Sequence, residues 1–238
     1  LIKEIIRNYP QQVSKLYIAN NAYGKDIQEI ISLAKSKKIS FLSVPKQKIL
    51  NIFNQGYSGL LLVLSQVKYF SLEEFIENIK LKSKCCVLIL DEIMDPQNFG
   101  AILRTAAAFE IDGVIIQQWN QVLITETVIE TSRGGVYLVP IVKVKNVYNA
   151  VKKLKEINFW IYATIPKEIK LNLSISNVEL KDIKNQQYIG IVLGNEEKGI
   201  RKNIVSECDG IITIKHSKHI ESLNVSVVCG IVLYELKN

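Results

Sequence analysis

The chain has 238 residues, a formal net charge of +7 and 48% hydrophobic side chains. That length supports a sizeable core in one large domain or two small ones, and no apolar run reaches the roughly 18 residues of a membrane-spanning helix, so no membrane partner is expected. The first residues, Leu1-Ile2-Lys3-Glu4, are amphipathic and charged and show no secretory leader, and Cys85, Cys86, Cys208 and Cys229 lack metal-ligand spacing, so they read as buried thiols of a reducing, cytoplasmic compartment.

Residues 1–8 put Leu1, Ile2, Ile5 and Ile6 on one face of a helix that Pro10 ends. A strand is predicted over 16–19, then a helix over 26–35 with Asp26 at its positive end. A strand at 39–42, a helix at 46–53 and a strand at 60–64 complete a small α/β unit. Residues 1–69 carry ten basic side chains against three acidic ones, a net +7, whereas 70–84 and 85–238 are each balanced. A strongly basic half joined to a neutral half predicts that the basic half meets a polyanion. A Lys-rich solvated surface is the other reading of the same charges.

Residues 71–84 open with Ser71 and Glu74 at capping-box spacing and predict a charged helix, read as a linker. Strands follow at 87–90, 113–116, 159–164, 189–193 and 210–214, and Pro140 marks 138–142 as an edge-type strand. Helices are predicted at 98–109, 125–133 and 147–157. Another is predicted at 225–236, where Val225, Val228, Cys229, Leu233 and Leu236 fall near a 3.6-residue period. The alternation predicts an α/β domain with a mostly parallel sheet covered on both faces. Asn195, Glu196, Glu221, Ser222 and Asn224 lie between the last strands and the last helix, and carboxyl ends of parallel strands are where open sheets bind ligands.

Leu193-Gly194-Asn195-Glu196 with Gly199, and Ser222-Leu223-Asn224-Val225-Ser226, resemble the second and third motifs of the SpoU/TrmH RNA 2′-O-methyltransferases. The stretch 95–104, with Asn98 and Arg104 six residues apart, resembles the first. Three motifs in order form a specific signal where one would not. The resemblance implies a SPOUT-type fold with a carboxyl-terminal trefoil knot, which no composition argument would propose because threading is rare. It also implies S-adenosyl-L-methionine as cofactor, RNA as partner and a homodimer whose active site is completed across a two-fold axis. The implied layout is a ribosomal-protein-like RNA-binding domain at 1–70, a linker at 71–84 and the methyltransferase domain at 85–238. Gln55-Gly56-Tyr57-Ser58-Gly59 resembles the turn that closes the family's amino-terminal domain, with Asn54 in place of a His and Gly59 in place of an Ala. Lys35, Lys37, Lys38, Lys46 and Lys48 are the candidate RNA contacts there, and Tyr17, Phe41, Phe53 and Tyr57 are either stacking residues or core. This layout favours a guanosine of large-subunit ribosomal RNA as target. A tRNA ribose methyltransferase, or an inactive RNA-binding protein of the same fold, is the alternative.

Methylating a ribose 2′-hydroxyl is an in-line displacement in which a weak nucleophile must lose its proton. The resemblance assigns Arg104 to activating that hydroxyl. A guanidinium with a pKa above 12 is a poor base, so it would stabilise the alkoxide or act through the neighbouring phosphate. Asn98 and Glu196 match positions that set the substrate side and the geometry, and Ser222 and Asn224 match the third motif while also forming a helix cap. Thr164, Leu193, Gly194, Asn195, Gly199, Ile214 and Leu223 match the cofactor pocket. The chain departs from its relatives at Glu197, often Gly, and at Thr213, often Pro. It also departs at 133–135, where Arg133 is a possible extra RNA contact, and at 215–219, a longer loop with His216 and His219. No Cys or carboxylate partner accompanies those histidines, so no metal is expected.

Overall fold

Residues 2–52, 59–166, 175–217 and 219–237 are described by a computed structural model. The chain divides into two units, Leu1–Val67 and Lys68–Asn238. The first contains α1 (Ile2–Asn8), β1 (Val13–Ala19), α2 (Lys25–Ser36), β2 (Phe41–Val44), α3 (Lys46–Ile52) and β3 (Leu60–Leu64). β1 is the central strand, parallel to β2 and antiparallel to β3. Its alternation sends Leu16 and Ile18 into a core with Ile6, Ile27, Ile30 and Ala34. Ala19, Val44 and Ile49 form a second, smaller cluster. Lys3 pins α1 to α2 through Asp26 and Glu29, both at 2.6 Å. Phe41 packs against the main cluster. Tyr17 packs against the smaller one, with Lys15 Nζ 5.8 Å and Lys48 Nζ 6.0 Å from its ring centre. Phe53, Asn54 and the 55–58 part of the expected closing turn lie outside the described residues.

The second unit runs β4 (Tyr69–Phe70), α4 (Leu72–Ile79), β5 (Cys85–Asp91), α5 (Pro96–Ala108), β6 (Gly113–Gln117), α6 (Glu126–Ser132), β7 (Ile141–Val144) and α7 (Val147–Glu156). It continues with β8 (Trp160–Thr164), α8 (Leu180–Ile183), β9 (Tyr188–Gly194), α9 (Lys202–Val205), β10 (Gly210–Ile212) and α10 (Val225–Lys237). Seven strands form one sheet in the order β10-β8-β9-β5-β6-β7-β4, and every pairing is parallel. β5, at the centre, has Val87, Leu88, Ile89 and Leu90 fully buried. A strand covered on both faces must be continuously apolar, as this one is. Among the described residues no helix is long and apolar enough to cross a membrane.

Two expectations are corrected. The strand expected at the sheet edge around Pro140 begins only at Ile141 and lies between β6 and β4. Pro140 precedes it, so its missing N–H interrupts no ladder bond, and its carbonyl accepts from Val114 N at 2.9 Å. The stretch expected as a linker is part of the larger unit. Ser71 and Glu74 form the capping box, at 3.1 and 2.8 Å, and α4 buries Leu72, Phe75 and Ile79 in the core that also holds Val87 and Val142.

Candidate active site

The sheet order brings the carboxyl ends of β5, β8, β9 and β10 side by side, and the loops leaving them build the site. α5 starts where Asp95 caps it, accepting from Gln97 N at 3.0 Å and Asn98 N at 3.3 Å, with Pro96 in its first turn. This start fixes Asn98, which is 8% exposed. Asn98 Nδ2 donates to Glu196 Oε1 at 3.0 Å, and Asn98 Oδ1 accepts from Asn224 Nδ2 at 2.9 Å. A carboxylate only accepts, so Glu196 dictates which way the Asn98 amide faces. Asn224 Oδ1 in turn takes Ser226 N at 2.8 Å and Ser226 Oγ at 2.6 Å, the cap of α10. One chain of hydrogen bonds thus joins all three motif stretches.

The loop after β9 closes on itself. Asn195 and Gly199 exchange backbone bonds of 3.1 and 3.0 Å. The Asn195 side chain accepts from Glu197 N and Lys198 N, both at 3.0 Å, and donates to Glu92 O at 2.7 Å. Gly199 has φ +68°, and a Cβ on Gly194 would lie 2.4 Å from Gly199 C and 2.5 Å from Ile200 N. Both glycines are therefore needed by the loop itself.

Beside this loop lies a cavity of about 620 Å³, walled by Thr164, Gly194, Asn195, Gly199, Ile214 and Leu223. Glu196, Ser222 and Asn224 line it as well. Leu193 is fully buried behind the wall. Thr164 Oγ1 donates to Val192 O at 2.8 Å, so only its lone pairs face a ligand. Ile165, Ile212 and Val228 add apolar surface, and Glu197, Glu221 and Lys198 add charge. The volume and this mixture suit a nucleoside-sized ligand with a polar tail, so the residues present fit S-adenosyl-L-methionine.

Arg104 does not reach the cavity. It is exposed on α5, and its side chain makes no hydrogen bond or ion pair among the described residues. Six residues advance a helix by about 600°, which leaves Arg104 about 120° around the axis from Asn98. His216 lines the cavity, with Nδ1 2.8 Å from Ile214 O. Among the described residues no group of three His, Cys, Asp or Glu side chains could hold a metal. Burial pushes the thiols of Cys86, Cys208 and Cys229 up to about 12 and keeps them neutral.

Sequence reasoning missed the support under this site. Asp91, 0% exposed, ends β5. Its carboxylate accepts from Arg201 N at 2.9 Å and Arg201 Nε at 2.8 Å, with Arg201 Nη2 2.6 Å away. Arg201 Nη2 also reaches Gln117 Oε1 at 2.7 Å. These residues tie β5, β6 and the loop after β9 together, and no motif or spacing pairs them.

The fold and the site define a parallel-sheet enzyme with a nucleoside-sized cavity at the carboxyl edge of its strands. Residues 85–234 match the SpoU rRNA methylase family, and residues 1–70 match the RNA 2′-O ribose methyltransferase substrate-binding family. A protein of Staphylococcus saprophyticus named as a TrmH family tRNA/rRNA methyltransferase is 33% identical over 225 residues, which cover 94% of this chain and 87% of that protein. The AdoMet-bound rRNA methyltransferase from Sinorhizobium meliloti superposes with a TM-score of 0.73 at 19% identity, covering 98% of this chain and 84% of that one. The SpoU methyltransferase AviRb from Streptomyces viridochromogenes, in complex with AdoMet, superposes at 0.72 and 17% identity, covering 99% and 87%. This chain belongs to the SpoU rRNA methylase family. It is an S-adenosyl-L-methionine-dependent RNA 2′-O-methyltransferase with a SPOUT-like α/β fold.

Proposed function

We propose that the enzyme methylates the ribose 2′-hydroxyl of a guanosine in large-subunit ribosomal RNA, and that two copies of the chain complete each site. The observation that carries the methyl-transfer reading is the Glu196–Asn98–Asn224 chain, which joins the three motifs beside the cavity, and the ribosomal target is supported by the SpoU rRNA methylase match over 85–234. Thr164, Gly194, Asn195, Gly199, Ile214 and Leu223 hold the cofactor, which supplies an electrophilic methyl group and its own leaving group when bound. Glu196 fixes the Asn98 amide, and Asn98 orients Asn224. Glu196 and Asn224, held together through Asn98, present a preorganised polar wall to the incoming ribose.

Arg104, turned away from the cavity of its own chain, acts in the site of the other copy and stabilises the alkoxide as the hydroxyl loses its proton. Support for a second copy comes from α10, where Val227, Ile231 and Tyr234 recur at helical spacing with exposures of 49, 37 and 57%. The family's trefoil knot belongs to the segment from β9 to α10. Support for this comes from the insertion of β9 between β8 and β5 while α10 packs against α5. The basic 1–69 region selects the RNA, a division supported by the substrate-binding match over 1–70. A tRNA target is the second reading, favoured by the combined tRNA/rRNA name of the relatives.

The test is mass mapping of ribose methylation in RNA from cells lacking the protein, repeated after adding the purified enzyme and cofactor. Loss and restoration of one 2′-O-methylguanosine in large-subunit RNA is expected. A missing mark on tRNA, with ribosomal RNA unchanged, would overturn the substrate assignment.

A further inference from the structure

Two buried amides have no part in the chemistry above. Gln117 is 6% exposed and Gln121 is 7% exposed, and they bracket Trp119, whose side chain is 66% exposed. Buried amides are costly unless hydrogen-bonded; Gln117 uses both of its polar atoms, whereas Gln121 pairs only its oxygen and its Nε2 is buried without a partner among the described residues. Gln117 Nε2 donates to Trp119 O at 3.1 Å while Gln117 Oε1 is held by Arg201, itself locked on Asp91. Gln121 Oε1 accepts from Ile93 N at 2.9 Å, and Val122 N donates to Ile93 O at 3.0 Å. The loop is clamped at both ends, with Asn120 at its tip in the left-handed region at φ 53°.

A clamped backbone that holds a large aromatic ring in solvent is arranged to present that ring. The ring stands at the active edge of the sheet. The clamp at Ile93 adjoins Met94, whose N–H lies 3.5 Å from Glu196 Oε2. Met94 and Leu123 add exposed apolar surface at 55 and 50%. On the other side, Gln118 N donates to Val144 O at 2.8 Å, which sets the loop beside the end of β7 and the exposed Lys145. An exposed ring on a loop whose backbone adjoins the loop of an exposed lysine offers both parts that an unpaired nucleotide needs, a face for the base and an ammonium for the phosphate.

We propose that Trp119 is the platform on which an unpaired RNA base next to the reacting ribose stacks, with Lys145 on the adjoining phosphate. The proposal rests on the RNA methyltransferase reading above. Because the clamp already fixes the backbone of the loop, only the side-chain torsions of Trp119 remain to be ordered when the base arrives.

The protein has two tryptophans, Trp119 and Trp160, so Trp160→Phe leaves Trp119 as the only indole reporter. In the full chain carrying that change, fluorescence is titrated with single-stranded poly(A), with a poly(A)·poly(U) duplex and with inorganic polyphosphate. Quenching by poly(A) alone is expected, because the duplex hides its base faces and polyphosphate has none. Trp119→Ala should weaken poly(A) binding by about ten-fold, within the range measured for one stacked base, Trp119→Phe should recover most of it, and cofactor binding by calorimetry should not move. Equal quenching by polyphosphate, or unchanged poly(A) affinity in Trp119→Ala, would overturn the proposal. So would an oligomer that dissociates on Trp119→Ala without RNA, since the ring would then cover a second copy. Poly(A)-specific quenching in a preparation that transfers no labelled methyl group to total RNA would support the platform and refute the activity reading.

Discussion

Removing the Arg201 guanidinium tests whether the polar network under the sheet's carboxyl edge holds the site's loops in place. The Asp91 side chain is 1% exposed and has three donors, the backbone N–H of Arg201 and two guanidinium nitrogens. Arg201→Met keeps the backbone donor and an apolar stem but deletes both charged donors. Breaking a buried pair typically costs ~3–5 kcal/mol, because a charge is left without its partner. Arg201 is itself 37% exposed, so water enters the vacated side and the lower figure, about 3 kcal/mol, is expected. At ~2–4 °C per kcal/mol for a domain of this size, that predicts a fall in Tm of about 6–12 °C. Adding Asp91→Asn to Arg201→Met removes the stranded charge and keeps an acceptor for the Arg201 N–H, so the double variant should be more stable than the single one. Calorimetric titration below the transition should also show weaker cofactor binding in Arg201→Met, since the loop after β9 loses its anchor. The measurements are thermal melts by circular dichroism for the parent, both single variants and the double variant. An Arg201→Met melt within about 2 °C of the parent, or a double variant no more stable than Arg201→Met, would refute the argument.

Arg104→Ala should cut single-turnover methylation by two to three orders of magnitude, the ~2.7–4 kcal/mol scale of one preorganised stabilising group, and leave cofactor affinity within a few-fold. Arg104→Lys should rescue little, because an ammonium lacks the planar fork, and a loss confined to RNA binding would make Arg104 a phosphate anchor instead. Asn98→Ala and Asn224→Ala each break the same hydrogen-bond chain, so their effects on turnover should be far from additive; a fully additive double variant would show that they act separately. Gly194→Ala drives a Cβ to 2.4 Å from backbone and should lower Tm sharply or abolish soluble expression, and a parent-like melt would contradict the close approach seen here. Replacing the exposed Lys35, Lys37 and Lys38 with Gln should flatten the salt dependence of RNA binding by up to ~0.7–0.9 per lost contact. An unchanged slope in that binding titration would place the RNA elsewhere.

The elements that sequence periodicity predicted best are those whose surroundings leave one choice. β5 and β9 are buried on both faces, so their apolar runs carry no competing signal. α4 was harder, because three glutamates and three lysines over 70–84 suggest a solvated linker. Leu72, Phe75 and Ile79, spaced three and four apart, were the signal that it packs on a core. Pro140 misled for a related reason: a proline bars only the position it occupies, and the strand starts one residue later.

At the site, the three motifs were legible as residue types, but their meeting depends on strand order. β5 and β9 are far apart in sequence and paired in register, with Asp91 opposite Gly194. That register sets the start of α5 next to the loop carrying Glu196, and so makes the Asn98–Glu196 bond possible. It also sets Asp91 against Arg201. In the sequence each of those two is an ordinary charge near a loop, and only the burial of Asp91 marks the pair as structural. Arg104 is the opposite case. Its spacing from Asn98 was legible in the sequence, yet it sits about 120° around α5 from Asn98 and does not line the cavity. In the function proposed above, a second copy of the chain would bring Arg104 to a cavity that it does not line in its own chain. The exposed apolar stripe on α10 is the surface that this proposal assigns to the contact, and a monomer mass by light scattering at micromolar concentration would refute it.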